Sequence, residues 1–226
     1  MTTLDLHIPR EASSLRQQVT DRLREAILYG DFEPGEKLVE RELCDRLGIS
    51  RTLLREALQH LQAEGLIVTV PHKGPSVARI TEAEAREIYQ VRGALEALAA
   101  EGFARHAPDA LVRRLRLHLN YLHTPDAAAN ILAAKNGFYD ILLEGCGNRV
   151  VGKMLTQLNN RITLLRRYSL SHPGRLPDTL KELAEIVAAI EARDPDEAGH
   201  LCARHVARAA EVVARSFASQ PQTNPE

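Results

Sequence analysis

The sequence predicts a mainly α protein in two parts: a small N-terminal domain of three helices and a hairpin, then an all-helical bundle. Three observations carry this. Apolar residues make up 44% of the 226 and aromatics only 4%, with no Trp, a balance rich in Ala and Leu that suits helix-on-helix packing. From residue 82 to about 217 the apolar positions recur almost only at 3.6-residue spacing. The β-branched-rich runs that look like a hairpin lie between residues 66 and 79.

Composition also sets limits. The formal charge is −1, so no global basic field points to a polyanion, although residues 41–79 carry six Lys/Arg against four Asp/Glu. Cys44, Cys146 and Cys202 are widely spaced and lack a C-x-x-C pattern, which fits reduced, buried side chains. Met1 to Arg10 has no signal-peptide architecture, and no apolar run reaches the length of a membrane span. The chain reads as soluble and cytoplasmic.

In chain order, residues 1–13 are polar, with Arg10 available as a basic arm. From Ser14 the stripe Leu15, Val19, Leu23, Ala26 and Ile27 predicts a helix ending near Gly30, and Gly30 to Leu38 is turn-rich. A second helix is expected from about Glu40 to Leu47, burying Leu43 and Leu47. Gly48 allows the positive φ of a sharp turn, Ser50 is a good N-cap, and a third helix runs to Gly65. Leu54, Ala57, Leu58 and Leu61 form its apolar face; Arg51, Thr52, Arg55 and Gln59 lie toward the other. Guanidinium groups one turn apart on an exposed face suit the major groove, where Arg pairs bidentately with guanine. The plainer reading is a solvated amphipathic face, with Arg41 paired to Asp45 and Arg55 to Glu56 or Gln59. Residues 66–70 and 76–79 are the expected strands, with Lys73 and Gly74 at the tip. Helix, helix, helix, hairpin is the order of a winged helix-turn-helix, whose third helix enters the major groove.

Arg22 to Val77 resembles the N-terminal domain of the GntR family of bacterial transcription regulators. The resemblance rests on Ile27 and Gly30, Pro34-Gly35 with Leu38, Glu40-Arg41-Glu42-Leu43, and Ser50-Arg51-Thr52 with Arg55-Glu56-Ala57-Leu58. Leu61, Glu64-Gly65-Leu66 and Gly74 complete it. It implies DNA contacts from Arg41, Ser50, Arg51, Thr52, Arg55, Lys73 and Gly74. Leu53 stands where many members carry Pro, a change that the first turn of a helix tolerates.

Residues 1–79 are therefore expected to form the DNA-binding domain and 80–226 an all-α effector-binding and dimerisation domain ending in a polar tail. Thr81 and Glu84 suggest a capping box. Helices are predicted over 82–105, 109–123, 126–145, 148–169, 178–193 and 196–217. Val91-Arg92 with Leu95-Glu96, Phe138, Gly147-Asn148 and Ala189-Ile190 with Asp194 resemble the FadR-type effector domain, FCD. That resemblance implies a bundle that binds a small organic acid or acyl ligand and dimerises, in many members around a divalent metal. Aligned on Phe138, Asn148 and Ala189-Ile190, the four metal positions fall on Lys135, Tyr139, Leu183 and His205. One imidazole, a phenol, an apolar group and an ammonium do not make a divalent site. His118/His123 and His200/His205 are five apart, about 140° around a helix, so neither pair shares a face. No metal or other cofactor is expected.

Lys135 lies within an apolar stripe (Ile131/Leu132, Phe138/Tyr139, Leu142), and a buried ammonium needs a partner or loses its proton. The expectation is that Lys135 supplies the charge a metal gives its relatives. It would hold a carboxylate effector with Arg92, Arg161 or Arg166, while Tyr139 and His205 add hydrogen bonds. The alternative is an internal pair with Glu96. Function then reads as a ligand-responsive regulator, a repressor and a homodimer on a palindromic operator, and not an enzyme. The competing readings are a ligand-independent architectural DNA binder and a metal-dependent helical bundle. The bundle would need Glu-x-x-His motifs on two facing helices, and the sequence has a single one, Glu197 to His200.

Overall fold

The computed structural model describes residues 12–219, and the chain divides into two compact units between Arg79 and Ile80. The Arg10 arm and the polar tail lie outside the described residues.

In the first unit, α1 (Ala12–Tyr29), α2 (Glu40–Leu47) and α3 (Arg51–Ala63) precede the antiparallel strands β1 (Ile67–Val70) and β2 (Gly74–Val77). Val19, Leu23 and Ile27 of α1 meet Leu54, Leu58 and Leu61 of α3 in the core; Leu15 is half-exposed, so the apolar stripe starts one turn later than its sequence pattern. Arg24 ties α1 to the end of α3 through two hydrogen bonds to Glu64, at 2.8 and 2.6 Å. Gly48 takes φ +66 and ends α2. Leu43 is buried there, while Leu47 is only half-buried. Beyond α3 the Gly65 N–H reaches the Gln62 carbonyl and the Leu66 N–H the Leu61 carbonyl, the paired bonds of a Schellman stop. The hairpin pairs Val70 with Gly74, so the loop is Pro71-His72-Lys73 and Gly74 opens β2 two residues earlier than expected. Glu36 to Leu38 joins the hairpin edge through Leu38 N–H to Pro75 and Val77 N–H to Glu36.

The second unit holds α4 (Glu82–His106), α5 (Asp109–Leu122), α6 (Pro125–Ala129), α7 (Ile131–Gly145), α8 (Arg149–Leu170), α9 (Arg175–Glu191) and α10 (Pro195–Ser219). The two long helices α4 and α10 pack along each other, with α9 on α10, α8 on α4, and α5 against α7 and α9. Half of the predicted capping box forms. Thr81 Oγ1 accepts from the Glu84 N–H at 3.2 Å, whereas the Glu84 carboxylate turns to Arg161 at 2.6 Å. The single helix expected over 126–145 is broken at Asn130 (φ −141, ψ 61), whose side chain caps α7 at the Ala133 N–H. α9 starts at Arg175, three residues before its predicted start.

Candidate functional site

Two sets of side chains stand out, one exposed on the first unit and one buried in the second. On the first, Ser50 Oγ accepts the Leu53 N–H at 3.3 Å, which leaves its own O–H to donate outward. Arg51 and Thr52 follow in the first turn of α3, both exposed, and Arg41 is exposed on α2. Among the described residues no ion pair joins Arg41 to Asp45. Arg55 is 65% exposed and pairs with neither Glu56 nor Gln59; its guanidinium lies 3.0 Å from the Glu40 carboxylate of α2. The pair bridges the two helices of the helix-turn-helix. Lys73 is exposed in the hairpin loop, between His72 (φ +65) and Gly74 (φ +83). The seven residues therefore lie on α2, α3 and the wing, as groove reading requires.

The buried set draws on five helices. Arg92 and Glu96 of α4, 0% and 1% exposed, pair at 2.7 Å. Arg166 of α8, 3% exposed, approaches the same carboxylate at 3.4 Å, donates to Asn136 Oδ1 at 2.5 Å, and lies 4.0 Å over the Tyr139 ring. Arg92 donates to the Tyr139 hydroxyl at 3.5 Å. Nearby, Arg175 forks onto Glu182 at 2.9 and 2.8 Å, and His205 Nδ1 lies 2.5 Å from the same carboxylate. The half-exposed Arg208 adds a fourth contact to it, at 3.1 Å. Three buried guanidinium groups thus face two buried carboxylates, an excess of positive charge. Several donors remain unpartnered: Arg92 Nη1, Arg166 Nε and Arg175 Nε have no hydrogen-bond acceptor among the described residues. Of these three arginines Arg166 lines a cleft of about 60 Å³, together with Glu96, Tyr139 and Asn159.

Protonation follows from these neighbours. Burial opposes the charge on Arg92, but Glu96, Tyr139 and Tyr89 together outweigh it and raise the pKa; Arg166 is lowered by burial and by Arg92. Burial and Glu96 push Tyr139 up, so its phenol stays protonated. Burial also opposes ionisation of Glu182, yet the hydrogen bonds from His205 and Arg175 hold its carboxyl down at about 2. Burial lowers His205 to about 4. Its imidazole is then neutral, Nδ1–H donates to Glu182, and Nε2 is an unpartnered acceptor. Lys135 stands differently from its neighbours. Burial, then Arg166 and Arg92, push it well below its ordinary value, which disfavours its ammonium form, while the arginines supply the positive charge of the cluster. Lys135 does not pair with Glu96, which Arg92 and Arg166 already occupy.

Of the residues expected at the effector site, Arg92, Lys135, Tyr139, Arg166 and His205 come together. Arg161 does not: its side chain is 37% exposed and bound to Glu84. Sequence reasoning missed Arg175, Glu182 and Asn136. A signal existed for Glu182, which shares the apolar stripe of Ile186 and Ile190 one and two turns on. Leu183, one of the four metal positions, is fully buried and cannot ligate. Among the described residues no group of three His, Cys, Asp or Glu converges as a metal centre needs, so the side chains do not fit a divalent ion.

A winged helix-turn-helix and a helical unit with a buried cationic cluster define a DNA-binding transcription regulator with a sensory domain. Residues 15–77 match the model of the bacterial regulatory proteins of the gntR family, and residues 87–208 match the FCD domain. The chain belongs to the GntR family and carries an FCD domain; these proteins are transcription regulators, not enzymes. It is 30% identical to the transcriptional repressor GlaR of Escherichia coli K12 over 210 residues, 87% of this chain and 94% of that one. It is 26% identical to the regulator YdhC of Bacillus subtilis over 185 residues, 80% and 83% of the two chains. Its fold is that of a GntR regulator from Rhodococcus sp. RHA1, with a TM-score of 0.77, 23% identity, and coverage of 92% of this chain and all of that one. Among the described residues no helix is long and apolar enough to cross a membrane.

Proposed function

We propose that the protein is a cytoplasmic, homodimeric repressor that releases a pseudo-palindromic operator when a small organic acid occupies the buried cluster. Arg41, Ser50, Arg51, Thr52, Arg55, Lys73 and Gly74 contact DNA. Arg92 and Arg166 hold the acid's carboxylate, and Tyr139, His205 and Lys135 complete the site. The observation that carries this reading is the excess of buried guanidinium over carboxylate with donors left open, because a buried donor without an acceptor is costly until a ligand fills it. Exposed Val91 and Leu98, two turns apart on α4, support a second copy packing on that helix. Effector binding shifts the population of dimer arrangements that match half-site spacing, by no more than its differential affinity for them.

The test is to select an operator from random DNA, then follow its binding by fluorescence anisotropy against a panel of short carboxylic acids. At least one acid should weaken the complex and bind the free protein in calorimetry. Arg166→Leu should keep operator binding and lose acid affinity by roughly tenfold or more, the scale of a charge-assisted bond. Operator binding indifferent to every acid, with no heat of binding, would establish the ligand-independent architectural reading instead.

A further inference from the structure

Lys135 completes the proposed site, yet the arginines and not its amine hold the carboxylate. It lies on α7 one turn before Tyr139, is 3% exposed, and forms no ion pair among the described residues. The charged groups acting on it are Arg166, Arg92 and Arg175, with Glu96 the opposing charge. Lys37, Lys73, Lys153 and Lys181 are all exposed, so one lysine differs from the rest in kind. A purely structural position here would favour an apolar side chain, since burying an amine beside three guanidinium groups is unfavourable. The same surroundings disfavour the ammonium and favour the free base, the form in which a lysine is a nucleophile.

We propose that Lys135 captures a short oxo acid as a reversible imine, with the acid's carboxylate seated on the unpartnered Arg92 Nη1 and Arg166 Nε donors. The proposal rests on the organic-acid reading above and names the class of acid. The Lys135 nitrogen bonds to the carbonyl carbon, and one N–H proton passes to the carbonyl oxygen to give a carbinolamine. That hydroxyl then leaves as water with the remaining N–H proton, and the C=N bond forms. No oxidant or reductant is needed, and water reverses the step. His205 Nε2, whose partner nitrogen is committed to Glu182, is an acceptor in the same cluster for the travelling proton. The close burial of Lys135, Arg92 and His205, at 3%, 0% and 1% exposure, favours a short acid.

The experiment incubates the full chain with pyruvate, glyoxylate or 2-oxoglutarate and sodium cyanoborohydride, which reduces an imine to a stable amine, and maps the adduct by peptide mass spectrometry. Lactate, with a hydroxyl in place of the carbonyl, is the control. One adduct per chain is expected, on the peptide carrying Lys135, at least about tenfold above any exposed lysine because those are mostly protonated. Lactate should give none, and Lys135→Met should abolish the adduct. The location of the adduct in the unsubstituted chain tests the idea even if that variant fails to fold. Lactate or an oxo acid bound in calorimetry with no adduct at Lys135 overturns the imine and leaves the organic-acid reading standing. Adducts spread over the exposed lysines overturn it equally. If no acid binds at all, that reading falls and the imine with it.

Discussion

Arg51 and Arg55 stand one turn apart on α3, yet the fold treats them differently. Arg55 is held by Glu40, whereas Arg51 has no ion pair among the described residues and is free to reach a base edge. Arg51→Ala is expected to lower operator affinity by about 1–3 kcal/mol and to relax preference at one base position. Lys73→Ala, by contrast, should weaken all sequences alike and reduce the slope of log K against log salt by about 1. Anisotropy on the operator, a scrambled duplex and single-base variants at several salt concentrations separates the two. An Arg51→Ala loss equal on operator and scrambled DNA would reassign Arg51 to phosphate. The exposure of Arg51 and Arg55 was readable in the sequence because an exposed helix face repeats a local pattern. Arg55's partner was not, since Glu40 lies fifteen residues away across a turn. Lys135 was readable as buried, but the arginines from α4 and α8 that disfavour its charge were not, because only the fold brings them near.

At the level of elements, periodicity located every helix of the second unit but not the break at Asn130. Ala127-Ala128-Ala129 before it and Ile131-Leu132-Ala133-Ala134 after it continue a helical pattern, and the interruption comes from one side chain capping Ala133. The start of α9 was hidden for a related reason. Ser171-His172-Pro173-Gly174 reads as loop, and so Arg175 was assigned to the loop although it lies seven residues, two turns, before its partner Glu182. Close approach of elements also escapes a pattern search. A Cβ on Gly102 of α4 would run into the Cys146 carbonyl oxygen at the end of α7, and one on Gly145 would meet the Phe103 ring. The α4–α7 crossing therefore has no room for a methyl group. Gly102→Ala, although it raises helix propensity, is expected to destabilise the chain by about 1–3 kcal/mol through overpacking against backbone. Urea denaturation followed by circular dichroism checks it, and an unchanged or raised midpoint would show that the crossing relaxes at little cost.

Over the whole molecule, one chain joins a reader with an exposed charged face to a sensor with a buried one, and the two demand opposite things of electrostatics. The reader's charges are hydrated and screened by salt. The sensor's are locked into pairs whose protonation is linked to folding. Glu182 is held at about 2 against an ordinary 4.5, so its ionised form favours the fold. The unfolded chain takes up that proton first as pH falls, and the stabilisation, complete above about 4.5, is lost toward 2. His205 acts in the same sense at higher pH: held at about 4 against 6.5, it stays neutral in the fold while the unfolded chain binds a proton between those values. Stability should therefore be level above pH 6.5, fall gently to pH 4.5, and fall more steeply below as Glu182 and the similarly lowered Glu96 protonate. The Glu182 contribution is on the order of 3 kcal/mol. Urea midpoints at pH 7.5, 5.5 and 3.5 measure the profile. Glu182→Gln should lower the midpoint at pH 7.5, because Arg175 loses its charged partner, and should flatten the drop between 5.5 and 3.5. A variant whose profile parallels that of the unsubstituted chain would remove Glu182 from the linkage and assign the acid sensitivity to exposed carboxylates instead.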